Sequence, residues 1–197
     1  MTQQLILASA SPRRADILKQ IGFQFQVIPS RAPEENDDVS ADPAGLVMKL
    51  ALNKAKEVAG SVSEGLIIGA DTIVVAGERI LGKPTDAAHA FEMLTQLSGK
   101  THAVFTGLAL VEVLGHKVKT GYEKTEVTFR AVTSAEIWAY IATNEPFDKA
   151  GAYGIQGRGA VLVEGIRGCF YNVVGLPVSR LIGLLQEFGV DRWERKR

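Results

Sequence analysis

The sequence of residues 66–75 is LIIGADTIVV, an apolar run interrupted by one carboxylate, Asp71. A short apolar run of this kind is typical of a buried strand. A carboxylate is costly to bury unless it is paired, bound to a metal or placed at the mouth of a cleft, and Gly69 and Ala70 leave room for another group to approach it. This segment therefore predicts a strand that carries a functional group. The alternative is an aspartate that caps a neighbouring turn.

The segments before this strand alternate between strand and helix patterns. Ser11 is a candidate N-cap and Pro12 stands at a first helical position, which predicts a helix that ends at Gly22. A second helix begins at Asp42-Pro43, and the polar stretch 30–40 predicts a loop. Strands are predicted at residues 4–8 and 23–29, and the two helices run over residues 12–21 and 43–58.

The segments after this strand contain more strand pairs. Thr133 and Glu136 have the spacing of a capping box, and Pro177 begins a last helix. Early alternation followed by strand pairs predicts an α/β fold, with a mixed twisted sheet, flanking helices and two lobes around a cleft, in a single domain over residues 1–197. The remaining predictions are a turn at 77–78 into a short strand, a helix from Thr85 or Asp86, antiparallel strands at 101–113 and 117–130, and two strands around Gly165.

The charge balance limits the classes of function. Lys plus Arg and Asp plus Glu each number 22, so the formal net charge is zero. A nucleic-acid coat or a membrane-surface protein needs a basic excess, so the neutral balance argues against both classes but not against a basic pocket for a small anion. The sequence has no leader pattern and no apolar run of the roughly 20 residues that span a bilayer, which predicts a cytoplasmic protein.

Cysteine and histidine chemistry is sparse. Cys169 is the only cysteine, which excludes an intrachain disulfide. His89, His102 and His116 lie in separate segments without the spacing of metal ligands, and this predicts surface or capping roles for each.

The segment Ser9-Ala-Ser-Pro-Arg-Arg14 follows a predicted strand and opens a helix. A helix N-terminus favours anions, so Arg13 and Arg14 in its first turn are unfavourable unless an anionic ligand lies there. Guanidinium groups and helix amides together suit a phosphate. The alternative is a Ser-Pro cap with solvated arginines.

Further charged residues, together with Arg13 and Arg14, could supply the charge that a triphosphate needs. Lys54 lies on the apolar stripe of its helix, where the alternative is an amine that reaches out to solvent. Lys83 stands between Gly82 and Pro84, a rigid corner that could aim its amine into a cleft. Glu35 lies in the polar loop and could join Asp71 around Mg²⁺, with Glu34 as a substitute and a solvated acidic loop as the alternative. The run GIQGRG at 154–159 matches neither a Walker A loop nor a dinucleotide-binding loop.

These pieces resemble the Maf proteins, which are nucleoside triphosphate pyrophosphatases related in fold to inosine triphosphatase-like enzymes. The matching motifs occur in the same order as in the family and cover nearly the whole chain. Its motifs are LASASPRR at 7–14, LALNKAK at 50–56, IGADTIV at 68–74, GKP at 82–84, LSGKTHAV at 97–104, DKAGAYGIQGRGA at 148–160 and VVGLP at 173–177.

The resemblance implies hydrolysis of a nucleoside triphosphate to the monophosphate and pyrophosphate with Mg²⁺ or Mn²⁺. It makes Asp71 the proton acceptor, and Glu35 matches the loop carboxylate of the family. Our hypothesis is that Glu35 and Asp71 hold the metal, and the sequence leaves open whether Asp71 is the base, a metal ligand or both. The resemblance further implies that phosphates bind at Ser9, Arg13, Arg14, Lys54 and Lys83. A homodimer is also in keeping with the family.

The resemblance extends to the substrate. One Maf subgroup has SPRR, ADT and IQG at three places and prefers dTTP and UTP, whereas another has tryptophan at the first arginine and prefers 7-methyl-GTP. Arg13, Thr72 and Gln156 match the pyrimidine subgroup. The amide of Gln156 could both donate to and accept from a uracil or thymine edge. The cellular substrate could be a modified pyrimidine nucleotide.

Two other classes of function are compatible with the sequence. The family name is linked to septum formation, so one alternative is a nucleotide-sensing regulator that acts through a protein partner. The other is a nucleotide-binding module without turnover. The assembled carboxylates and cations favour the enzyme over both.

Overall fold

The computed structural model describes residues 4–33 and 42–191. The predicted α/β class is confirmed, because these residues form a seven-stranded mixed sheet flanked by helices. The strands are β1 Leu5–Leu7, β2 Gln26–Val27, β3 Leu66–Ala76, β4 Arg79–Leu81, β5 Thr101–Glu112, β6 Val118–Phe129 and β7 Val163–Arg167. The α-helices are α1 Pro12–Gln20, α2 Pro43–Ala59, α3 Ala87–Leu97, α4 Ser134–Ile141, α5 Phe170–Val174 and α6 Val178–Gln186. Short 3₁₀ turns cover Glu145–Asp148, Ala150–Ala152 and Gly157–Leu162.

The order of the strands leaves a gap beside β3. The sheet runs β2-β1-β3-β5-β6-β7, with β5 along one edge of β3 and both β1 and β4 along the other. The pairing of β1 ends at Leu7 with Ile68, and that of β4 begins at Val74 with Leu81. Between these pairs, residues 69–73 of β3 have no strand partner on that edge among the described residues. The gap holds the candidate site.

Helix α2 covers one face of the sheet at close range. A Cβ atom on Gly69 would collide with the carbonyl oxygen of Ala51, and one on Gly107 with that of Val47. Glycine is therefore required at both places for the helix backbone to lie directly on the strands. The room predicted beside Asp71 is filled by α2.

The opposite face divides into two lobes. Helices α1, α5 and α6 pack on one apolar cluster, which includes Leu66 and Ile68, and α3 and α4 pack on another, which includes Val74 and Val104. Four buried or half-buried polar residues lie between the clusters, and we call them the threonine belt: Thr72, Thr106, Thr125 and Asn172. The belt marks the boundary between the two lobes.

Hydrogen bonds link the members of the threonine belt, although Asn172 Oδ1 is buried without a hydrogen-bond partner among the described residues. The Thr106 hydroxyl donates to the carbonyl oxygen of Asn172 at 2.9 Å, and the Thr72 and Thr106 hydroxyl oxygens are 2.9 Å apart. Because Thr106 has one proton and uses it on Asn172, Thr72 is the donor to Thr106. Asn172 Nδ2 donates to Thr125 Oγ1 at 2.9 Å and to the Val104 carbonyl at 3.0 Å.

Two predicted strand assignments are wrong. The strand predicted over 23–29 pairs only at Gln26–Val27, since its partner β1 is three residues long and Phe23 packs into the apolar cluster instead. Two strands were expected around Gly165, yet a single strand, β7, contains it, and a 3₁₀ turn precedes that strand. The capping box at Thr133 and Glu136 is confirmed in both directions.

Candidate active site

A cleft of about 470 Å³ opens at the gap beside β3. Its walls come from the β1–α1 turn, α2, β3, the segment after β4 and the segment 148–156. All the predicted site residues that the structure describes line it: Ser9, Arg13, Arg14, Lys54, Asp71, Thr72, Lys83 and Gln156. The predicted metal ligand Glu35 and its substitute Glu34 lie outside the described residues.

Asp71 and Lys54 form a buried ion pair at the base of the cleft. Asp71 lies within β3 with its side chain 10% exposed, and Lys54 reaches it from α2 with its side chain 11% exposed. The two alternatives, a turn-capping aspartate and a lysine that extends to solvent, are therefore wrong. Two opposite charges at this depth stabilise each other only while both remain, which makes the pair a sensitive point of the site.

The SASPRR turn is organised by Arg14. Its guanidinium donates to Ser9 Oγ at 2.9 Å, to Thr72 Oγ1 at 3.0 Å and to the Gly175 carbonyl at 2.8 Å. The side chain is buried and joins three segments of the chain at the wall of the cleft. The alternative of a solvated arginine is thus wrong for Arg14. Ser11 stands at the predicted N-cap position, but its side chain accepts no capping hydrogen bond from the described helix.

Arg13 crosses the cleft to the other lobe. Its Nη1 lies 2.8 Å from Asp148 Oδ2, and Lys149 Nζ lies 2.6 Å from Asp148 Oδ1. Burial opposes ionisation of Asp148, but the hydrogen bonds from Lys149 and Arg13 outweigh it and lower the pKa of this carboxyl. The carboxylate is therefore charged at neutral pH and holds Arg13 in place.

Asp148 and Lys149 were not among the predicted site residues, although both line the cleft. Their only signal in the sequence is their place in the DKAGAYGIQGRGA motif. The contact with Arg13 joins positions 135 residues apart, so it depends on the completed fold.

The predicted surface or capping role is wrong for His102. The residue is 4% exposed, lies on β5, and packs edge-on against Phe129 and Tyr153. Its Nε2 is 2.7 Å from the hydroxyl of Tyr153, a residue that lines the cleft. Burial lowers the pKa of His102 to about 4, so the imidazole is neutral at physiological pH.

We expect this histidine to make the fold sensitive to acid. The unfolded chain binds a proton near the ordinary histidine pKa of 6.5, whereas the folded chain binds it near 4. Stability from this residue is therefore complete above pH 6.5 and is lost as the pH falls towards 4, with a loss of about 2 kcal/mol between pH 7 and pH 5. Urea unfolding at both pH values measures the difference.

The test compares two variants. His102→Gln keeps a hydrogen-bonding side chain beside Tyr153 but does not titrate, so it should lose less stability on acidification than the wild type. The control is His116→Gln on an exposed turn, which should behave as the wild type does. An unchanged acid loss in His102→Gln would contradict the assignment.

Membrane-spanning helices and clustered metal ligands are both missing from the described part of the chain. No helix there combines the length and apolar character that a bilayer-spanning segment needs. His, Cys, Asp and Glu side chains in residues 4–33 and 42–191 form no group of three or more that could hold a metal ion.

The fold and the cleft define an α/β protein whose cleft is lined by several cations and holds a buried carboxylate, Asp71. A family model described as "Maf-like protein" matches residues 4–188. The chain belongs to the Maf family, and the resemblance found in the sequence is confirmed.

Curated relatives match the chain over nearly its whole length. A dTTP/UTP pyrophosphatase of Bacillus cereus is 51% identical, with 96% of this chain and 97% of the relative covered. A dTTP/UTP pyrophosphatase of Bacillus cytotoxicus is 53% identical, with 94% and 96% covered. Among solved structures, the Staphylococcus aureus Ham1 protein aligns with a TM-score of 0.50 at 13% identity over 94% of this chain and 97% of that one, a likeness of fold alone.

Proposed function

We propose that this protein is a pyrophosphatase that hydrolyses dTTP, UTP and modified pyrimidine triphosphates to the monophosphate and pyrophosphate, and so cleans the nucleotide pool. The observation that carries the proposal is the cleft, where Asp71 lies buried against Lys54 and shares the lining with Arg13 and Lys83. Relatives about half identical in sequence, and matched over nearly the full length, bear the name dTTP/UTP pyrophosphatase. A cluster of cations around one carboxylate suits a polyanion that is cut beside the carboxylate.

The carboxylate of Asp71 is the group that we assign to the attacking water. Lys54 occupies its Oδ1, which fixes the orientation of the carboxylate. The other oxygen takes the proton as the water oxygen bonds to the α-phosphorus, and the bond from that phosphorus to the α–β bridging oxygen breaks. Pyrophosphate leaves with the bridging oxygen, and Lys83 and Arg13 offset the charge that develops on it.

The carboxylates of the cleft fit a hard divalent cation. Asp71 and Asp148 are the acidic residues that line it in the described part of the chain, and Asp148 is held by Arg13 and Lys149. Mg²⁺ is commonly bound through one or two carboxylates and the phosphates of the substrate, so Asp71 and Glu35 are the residues that would hold Mg²⁺ or Mn²⁺. When bound, such an ion supplies positive charge to the phosphate oxygens.

Three residues are proposed to select the pyrimidine. Arg13, Thr72 and Gln156 all line the cleft, and Thr72 lies on β3. The Thr72 hydroxyl already donates to Thr106 and accepts from Arg14, so its orientation is set before any ligand binds. Preset donors and acceptors favour a base that matches them over one that does not.

The experiment is a turnover panel with the products identified. We expect UTP and dTTP to give UMP and dTMP with pyrophosphate, at kcat/KM values about tenfold or more above those of GTP, ATP and 7-methyl-GTP. Release of UDP and orthophosphate would identify a different reaction. Equal values across the panel would contradict the roles of Arg13, Thr72 and Gln156.

A further inference from the structure

The segment GIQGRG at residues 154–159 wraps around a protein carboxylate, that of Glu145. The backbone N–H of Arg158 donates to Glu145 Oε2 at 3.0 Å, and that of Gly159 donates to Oε1 at 3.0 Å. The hydroxyl of Tyr140 donates to the same Oε1 at 3.0 Å. Both oxygens of the carboxylate are thus engaged, and two of the three donors belong to the loop.

The glycines of this loop are required for the wrapping. A Cβ atom on Gly159 would collide with the Gly154 carbonyl, so the two ends of the loop touch. Gly157 has a φ of 65°, and a Cβ atom there would lie 2.8 Å from Glu145 Oε2. The loop thus folds two backbone N–H groups around an anion, as phosphate-binding concavities do, and the anion here is a side chain of the protein.

The loop also carries Gln156 to the cleft. Gln156 lines the cleft and stands in the sequence between Gly154 and Gly157, where a Cβ atom would come within 2.9 Å of Lys149 and 2.8 Å of Glu145 respectively. The N–H of Gly154 donates to the Tyr140 hydroxyl at 3.2 Å, so Tyr140 joins the start of the loop to the carboxylate that holds its end.

A second set of contacts links Glu145 to Arg13. The carbonyl oxygen of Glu145 accepts from Lys149 Nζ at 2.5 Å, and Lys149 contacts Asp148 at 2.6 Å. Asp148 in turn holds Arg13 at 2.8 Å. Glu145 thus supports two residues that line the cleft. Its carboxylate holds the loop that carries Gln156, and its carbonyl oxygen holds the Lys149 side chain, which contacts the partner of Arg13.

We propose that Glu145 is a positioning residue for base selection, whose carboxylate holds the 154–159 loop so that Gln156 presents its amide to the base. The inference rests on the proposed function, because that function assigns Gln156 to the base. Glutamine cannot replace this carboxylate: its amide nitrogen would place two hydrogens against an N–H of the loop, either that of Arg158 or that of Gly159. Loss of the acceptor leaves a donor unpaired and releases the loop.

The test is the kinetics of Glu145→Gln with UTP and GTP in the presence of Mg²⁺. We expect KM for UTP to rise about tenfold with kcat within about threefold of the wild type, and the ratio of kcat/KM for UTP over GTP to fall about tenfold. In a Gln156→Ala background, Glu145→Gln should change that ratio by less than about threefold, since it acts through Gln156. Glu164→Gln on β7, at an exposed position, is the matched control and should leave the ratio unchanged.

The outcomes separate the two proposals. Equal losses for UTP and GTP, or fully additive effects with Gln156→Ala, would show that Glu145 supports the fold only and would overturn the inference. If Glu145→Gln does not fold, Glu145→Asp keeps the charge but withdraws the carboxylate from the N–H groups of Arg158 and Gly159, and it should shift the ratio in the same direction; no shift overturns the inference. If the wild type prefers UTP and Glu145→Gln leaves the ratio of kcat/KM for UTP over GTP unchanged, this inference is refuted but the proposed function is not. A wild type that makes no UMP and pyrophosphate refutes the proposed function, and this inference with it.

Discussion

Asp71→Asn should lower kcat for UTP hydrolysis by about a thousandfold. Asparagine cannot accept the proton of the attacking water, and removal of a general base of this kind costs on the order of 10² to 10⁴ in rate. The carboxamide also brings less negative charge to a site built around a carboxylate. Steady-state kinetics with pyrophosphate detection measures the effect, and KM should change much less than kcat.

The same variant should keep its fold but unfold at a lower urea concentration, because the Lys54 ammonium stays buried and loses its countercharge. The asparagine side chain has the shape of the aspartate, and its Oδ1 can still accept the hydrogen bond from Lys54. The matched control is Asp16→Asn, an exposed position on α1, which should retain full activity. A rate for Asp71→Asn near that of the wild type would refute its role as base. A cellular effect that survives in this variant would favour the nucleotide-sensing regulator instead.

Lys54→Met should lower the free energy of unfolding by roughly 3 kcal/mol and reduce kcat at least a hundredfold. The substitution keeps the length of the side chain on α2 but leaves the Asp71 carboxylate buried without its cation. An uncompensated buried charge is among the most costly defects of a folded protein. Urea unfolding and turnover of UTP are the two measurements.

A double variant separates the two effects. Lys54→Met with Asp71→Leu removes both charges, so most of the lost stability should return because an apolar pair can replace a buried ion pair at little cost. Activity should stay absent. Lys56→Met, an exposed position on the same helix, controls for the loss of a lysine from α2. If Lys54→Met unfolds at the wild-type urea concentration, the ion pair contributes nothing to stability.

The sequence predicts those parts of the site that depend on local pattern. Asp71 is recognisable in the sequence because a carboxylate within an apolar strand is costly to bury without a partner. In the structure that partner is Lys54. The capping box at Thr133 is equally local, since both of its hydrogen bonds lie within four residues. Residues whose role follows from their neighbours along the chain can be found from the chain alone.

The features that sequence reasoning missed depend on contacts between distant segments. The strand at 23–29 was predicted too long because its alternation is real, but the length of a ladder is set by the partner strand. The burial of His102 follows from Tyr153, 51 residues away, which covers it. Asp148 meets Arg13 across 135 residues. The hydrophobic pattern carries no information on such pairs. The contact between Arg13 and Asp148 across the cleft could therefore not be predicted from the sequence.

The ladder between β3 and β5 has a consequence for how the enzyme works. It pairs the two strands residue by residue from Leu66 to Val75, beneath both lobes and without interruption at the threonine belt. A hinge between the lobes would have to break backbone hydrogen bonds between β3 and β5. In the described part of the molecule, rigid-body opening of the lobes is therefore energetically costly. We therefore expect the two lobes to keep most of their spacing when substrate enters, so that discrimination depends on matching of shape and charge more than on large swings of one lobe against the other.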